Sequence, residues 1–285
     1  MQPLSVKERI ITSTTVVDAD HALKAKHRAM WALGDYSAVV TDIVAPLGEI
    51  LVEASDIRPG QRLLDVAAGT GSVAIPAARA GADVVASDLT PELLEVGRRL
   101  TENTDLAIEW RVADAEALPF ADAEFDRVLS CLGVMFAPHH QAGADELIRV
   151  CRPGGTIGLV SWTPTGFIGQ MFATMKPYVP PPPPGVQPPP LWGSAEHVRN
   201  LLGDRVEDIE TRVQALEVDR FGTPEAFRDY FKSNYGPTIV AYRGIADDPE
   251  RTAALDRDLV ELARRFDLGN GRTEWEYLLV TARRR

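Results

Sequence analysis

The chain has 285 residues, 45% of them hydrophobic and 25% charged, a balance that excludes a wholly disordered protein. Its formal charge of −11 opposes binding to phosphate backbones and anionic membranes. No basic run is longer than the terminal Arg283-Arg284-Arg285, which reads as a solvated end.

In chain order, residues 1–58 are expected to be helical, with HALKAKHRAMWALGDY followed by the apolar AVVTDIVAPLGEILVEAS. If exposed, that apolar helix would offer a homodimer contact. RLLDVAA then reads as a strand, and glycine-rich GTGS follows it directly. A helix from Ser72 to Ala80 ends at Gly81, a suitable left-handed cap. ADVVASDL is the second strand, after which Thr90-Pro91-Glu92 opens a helix with a capping hydroxyl, a first-turn proline and an acid at the positive dipole end. IEWRVAD and FDRVLSCLGV are strands three and four; HHQAGADELIRVCRPGG reads as a helix closed by Pro153-Gly154-Gly155, and GTIGLVSW as strand five. This alternation marks a parallel sheet covered by helices.

YVPPPPPGVQPPPLWG, Tyr178 to Gly193, has too few backbone donors for a sheet and favours extended polyproline. It reads as a stiff crossover within the fold, or else as a ligand for a proline-binding domain. FIGQMFATM and AEHVRNLLG flank it as helices. DIETRVQALEVDRF has strand character, Thr223-Pro224-Glu225 and Asp248-Pro249-Glu250 open two more helices, and WEYLLVTARR closes the chain as a strand. The late strand pair would extend the sheet with an antiparallel edge. No apolar run approaches the roughly 20 residues of a membrane span, and no leader pattern is present. Cys131 and Cys151 both sit in apolar runs, so buried thiols and a cytoplasmic location are expected.

The chemistry concentrates where the strands end. Gly69 and Gly71, straight after the first strand, allow a tight turn and close approach to a ligand. Asp88 ends the second strand, where a carboxylate can accept from both hydroxyls of a ribose. Asp114-Ala115 ends the third and can meet an adenine ring. Gly69, Gly71 and Ala74 also fit a dinucleotide fingerprint, which leaves a nicotinamide-dependent oxidoreductase open. Tyr230 and Lys232, however, have the wrong spacing for a Tyr-x-x-x-Lys pair.

LLDVAAGTG, VVASDLTPELL, DAEALPFADAEFDRV and ELIRVCRPGGTIGLV occur in this order between Leu63 and Val160. Together they resemble the class I S-adenosylmethionine-dependent methyltransferases, in the branch with the ubiquinone/menaquinone-biosynthesis enzymes. The resemblance implies an α/β, Rossmann-like, seven-stranded, mostly parallel sheet with its last strand antiparallel and helices on both faces. The chain then divides into a helical lid over 1–58, a cofactor-binding core over 59–163, a proline-rich and helical cap insertion over 164–204, and late strands with helical cap over 205–285. It further implies S-adenosylmethionine bordered by Asp65, Ala67, Gly69, Thr70 and Gly71, with Asp88 on the ribose. Leu89 and Leu93 would pack near the adenine, Asp114 and Ala115 would contact the base, and Cys131 would lie beside the cofactor.

Such an enzyme chiefly aligns its reactants and excludes water, with a base where the acceptor must lose a proton. By family geometry His139 or His140, beyond the fourth strand, is the candidate base; the other reading is a polar helix start. His21 and His27 read as lying on a solvated helix face. Trp31 and Tyr36 either fold over the sulfonium as a lid or pack as ordinary core. Aromatics from Phe167 to Tyr242 would wall an apolar acceptor pocket or form the cap's own core. The expectation is methyl transfer to an apolar or aromatic small molecule, with no metal, nucleic-acid or membrane partner. A non-catalytic cofactor-sensing module whose proline tract recruits a partner is the further alternative.

Overall fold

The computed structural model describes residues 6–285, with side chains from residue 19 onward. Three helical segments precede the sheet: α1 (Val6–Trp31), α2 (Tyr36–Val39), which runs through a π-helical turn, and α3 (Ala45–Ala54). The Asp35 carboxylate accepts from the Ala38 amide and starts α2. Leu47 and Leu51 of α3 are fully buried against the sheet. The apolar helix expected as a subunit contact is therefore spent inside the molecule.

The core follows as β1 (Arg62–Val66), α4 (Ala74–Arg79), β2 (Asp83–Asp88), α5 (Pro91–Thr101), β3 (Ile108–Val112), β4 (Phe125–Cys131), α6 (His140–Val150) and β5 (Cys151–Trp162). Then come α7 (Phe167–Met175), α8 (Ala195–Leu202), β6 (Val206–Val218), α9 (Pro224–Asn234), α10 (Gly236–Gly244), α11 (Pro249–Phe266) and β7 (Thr273–Arg284). Capping side chains from Ser194, Thr223 and Asp248 start α8, α9 and α11.

The seven strands are ordered β3-β2-β1-β4-β5-β7-β6. β1 to β5 pair in parallel, while β7 pairs antiparallel with both β5 and β6. Only the last strand in the chain opposes the rest, as in Rossmann-like methyltransferase folds. The late strand pair extends the sheet with an antiparallel edge, β7 slotting between β5 and an outermost β6. The strand order reverses between β1 and β4. Right-handed crossovers send α4 and α5 to one face and α6 to the other, so a crevice opens at the carboxyl ends of β1 and β4.

Two further expectations shift. Arg152 to Gly155 do not close α6 but bulge out of β5: Cys151 pairs with Phe125 and Thr156 with Arg127, so the intervening residues face Asp126 alone. Among the post-core aromatics, Phe167 stacks on Trp275 at 5.2 Å, and Phe227 and Phe231 complete that cluster away from the crevice. The proline run 180–184 is exposed, yet it is followed by anchors: the Gln187 amide donates to Pro138 O, and Trp192 is fully buried. Arg283 is not simply solvated; it pairs with Glu207 and Asp208 on β6. Among the described residues no helix is long and apolar enough to cross a membrane.

Candidate active site

A cleft opens at the reversal of strand order, about 870 Å³ including the open solvent at its mouth. Its floor comes from strand ends. Ala67, at the end of β1, and Leu132, after β4, both adopt left-handed backbone (φ +54° and +58°) and both line the cleft. Such conformations cost about 1–3 kcal/mol each and persist where surrounding structure enforces them. Gly69 follows at φ +56°; a Cβ built there would meet nothing closer than Tyr36 Cε1 at 3.8 Å, so the backbone lies open to a ligand.

Asp88 lies 8% exposed in the floor. One carboxylate oxygen accepts from the Gly69 amide at 2.8 Å and the other from the Thr90 amide at 2.7 Å. The Thr90 hydroxyl also turns to Asp88, and so does not cap α5. Burial raises the Asp88 pKa while these hydrogen bonds oppose the shift. The carboxylate lines the cleft, where it can meet ribose hydroxyls. Leu89, Leu93, Ala113 and Ala115 supply an apolar bed beside it. An open glycine, a tethered carboxylate and an apolar slot together fit the adenosyl part of S-adenosylmethionine.

Asp65, Thr70 and Gly71 do not line the cleft. Asp65 is 1% exposed and accepts from the Ala74 amide at 2.9 Å, so it anchors the start of α4 beneath the loop. Burial, with the nearby Asp88 adding to it against that hydrogen bond, lifts its pKa to about 8. Gly71, at φ +92°, makes room for Trp110: a Cβ there would lie 2.7 Å from the indole. The absence of a side chain there lets the indole pack against the loop.

Over the cleft lies α1. Lys24, His27 and Trp31, at successive turns of one helical face, all line it. Lys24 Nζ meets Asp114 at 2.8 Å, Glu116 at 2.7 Å and Asp20 at 2.9 Å. Burial disfavours its charge, but these three hydrogen bonds outweigh it and hold the ammonium above the ordinary lysine range. Asp114 also accepts from the Glu116 amide at 2.9 Å, so its carboxylate is already engaged at the place where the base would sit. Trp31 meets Tyr36 at 5.2 Å and Phe136 at 4.7 Å between ring centroids, and Tyr235 backs both. Cys131, a free thiol like Cys151, lines the same region.

Neither histidine first considered as a base faces the cleft. His139 Nδ1 lies 3.0 Å from Glu116, within the Lys24 cluster. His140 is fully buried, its Nδ1 2.9 Å from His197 Nε2; burial, then His197 and His139, lower its pKa to about 4. It turns inward because α6 packs against α8, which carries His197. His27, expected on a solvated face, lines the cleft instead. Among the described residues one group, Asp20, Glu116 and His139, has metal-ligand spacing, but the Lys24 ammonium already occupies two of its carboxylates. Lys24, His27, Val40, Val44, Phe136 and Pro138 are lining residues that the sequence did not single out. The spacing of Lys24 and His27 from Trp31 was their one available signal.

A methyltransferase-domain family model matches residues 64–159, the part that builds this floor. An uncharacterized protein of Mycobacterium tuberculosis (strain H37Rv) is 54% identical over 275 residues, covering 96% of this chain and all of that one. A demethylmenaquinone methyltransferase of Renibacterium salmoninarum is 40% identical over 124 residues, covering 41% of this chain and 51% of that one. The Haemonchus contortus phosphoethanolamine N-methyltransferase 2, solved with phosphomonomethylethanolamine and S-adenosylhomocysteine, shares the fold at a TM-score of 0.54 and 18% identity, over 84% of this chain and 52% of that one. The chain thus matches the mycobacterial protein over that protein's whole length and belongs to the class I S-adenosylmethionine-dependent methyltransferases, as an enzyme that draws its methyl group from S-adenosylmethionine.

Proposed function

We propose that the acceptor is an apolar or aromatic small molecule carrying a hydroxyl or an acidic carbon, such as a quinol or phenol. The observation that carries this reading is the wall of Trp31, Tyr36, Val40, Val44 and Phe136, set against the polar nucleoside floor within one cleft. A charged or strongly hydrated acceptor would lose its water there without finding compensating partners. The 40% identical demethylmenaquinone methyltransferase, although it covers only part of the chain, supports a quinone-like acceptor. The formal charge of −11 favours a small molecule over nucleic acid.

Bound S-adenosylmethionine supplies an electrophilic methyl carbon. The chain's own task is to fix the acceptor atom in line with that carbon and to keep water out, and alignment of this kind can lower a barrier by roughly 7–11 kcal/mol. Asp88 and the Gly69 backbone would hold the nucleoside, while Trp31 and Tyr36 would close over the transfer point from α1 and α2. Their ring faces also suit a sulfonium electrostatically. Incubating the full chain with isotope-labelled S-adenosylmethionine and a panel of quinols, phenols, aliphatic amines, RNA and protein tests the reading by mass spectrometry. Label in an aromatic acceptor is expected; label only in amines or macromolecules would overturn it.

A further inference from the structure

Six titratable side chains line the cleft: Lys24, His27, Tyr36, Asp88, Asp114 and Cys131. Five are engaged or keep their protons at neutral pH. Lys24 is bound to three carboxylates. Asp88 accepts from two backbone amides, and Asp114 is held between Lys24 and the Glu116 amide. Burial raises the Tyr36 hydroxyl and the Cys131 thiol well above their usual ranges, so both stay protonated.

His27 is different. It is half-buried, and its ring makes no hydrogen bond with another described residue. Burial lowers its pKa; Glu116 pulls upward and Lys24 downward, and the net shift is down, which leaves a neutral imidazole at physiological pH. The charged groups that act on it are Lys24 on its own helix and Glu116 from the segment after β3; Asp114, which also binds Lys24, lines the same cleft. It lines the cleft one turn from Trp31, about 6 Å along the helix axis.

We propose that His27 is the general base of the methyl transfer, taking the proton that the acceptor gives up. The inference rests on the acceptor class proposed above. The acceptor's O–H or acidic C–H bond breaks and its proton passes to a ring nitrogen of His27. The electron pair left on the acceptor forms the new bond to the methyl carbon, and the pair of the breaking S–C bond stays on sulfur. The imidazolium then returns its proton to water. The N-terminal helix thereby becomes part of the catalytic apparatus as well as a cover.

The test uses the full chain and two independent readouts. In the first, histidine NMR of the S-adenosylhomocysteine complex, with His27 assigned from the His27→Gln variant, is expected to show a ring that is neutral at pH 7 and shifts when the ligand is added. A His27 signal that is protonated at pH 7, or indifferent to the ligand, overturns the proposal. In the second, single-turnover methylation of a naphthol should speed up as pH rises through the His27 pKa and then level off. His27→Gln should slow it about 10²- to 10⁴-fold and abolish the pH step, with S-adenosylhomocysteine affinity unchanged. An intact pH step in the variant, or a fall in affinity that matches the fall in rate, would overturn the assignment. Wild-type inactivity toward every aromatic acceptor would instead sink the acceptor class, and the NMR readout would still decide on His27.

Discussion

The carboxylate of Asp88 serves two purposes at once, tying the Gly69 and Thr90 amides into one floor and lining the cleft itself. Charge-assisted hydrogen bonds of this kind contribute about 1.5–3 kcal/mol. Asp88→Ala should therefore weaken S-adenosylhomocysteine binding roughly 10- to 150-fold by calorimetry. Unchanged affinity would mean that the ribose lies elsewhere. The neighbouring Asp65 has the opposite assignment. It is more deeply buried, is spent on the Ala74 amide, and does not line the cleft. Both acids were legible as strand-end carboxylates in the sequence, but which of them turned outward was not. That choice depends on the position of the α4 start, a contact that residue spacing does not encode.

At the scale of elements, α1 matters most and was least legible. Its apolar residues are barely segregated to one face, so periodicity could not say what the helix covers. The partners that seat it, Asp114 and Glu116, come from about 90 residues further along the chain. The parallel strands, by contrast, read clearly, because strands buried on both faces appear as continuous apolar runs. The position of β7 between β5 and β6 was not legible, since both neighbours accept the same apolar pattern. Removing the ammonium with Lys24→Met leaves Asp20, Asp114 and Glu116 facing one another across the α1 contact, and loss of one partner from a buried ion cluster is strongly destabilising. The expected outcome is faster release of S-adenosylhomocysteine by stopped flow and faster proteolysis within α1, with partial recovery in Lys24→Arg. Release at the wild-type rate would mean that the cluster does not hold the helix down.

At the scale of the whole molecule, the sheet sets the chemistry. Reversal of strand order between β1 and β4 opens one crevice, and the segments before and after the core close around it. The floor contributed by the matched core is polar where a nucleoside fits. The roof from α1, α2 and the segment after β4 is aromatic, and Phe172 and Tyr235 of the later segments back it without entering the cleft. The floor thus comes from the matched core, and the roof from α1 and α2 together with Phe136 of that same core. The central claim is that cofactor and aromatic acceptor occupy the cleft together. Calorimetric titration of a naphthol into the full chain, with and without saturating S-adenosylhomocysteine, tests this most directly. Binding of the naphthol that persists or strengthens in the loaded protein is the expected result; mutual exclusion of the two ligands would contradict it.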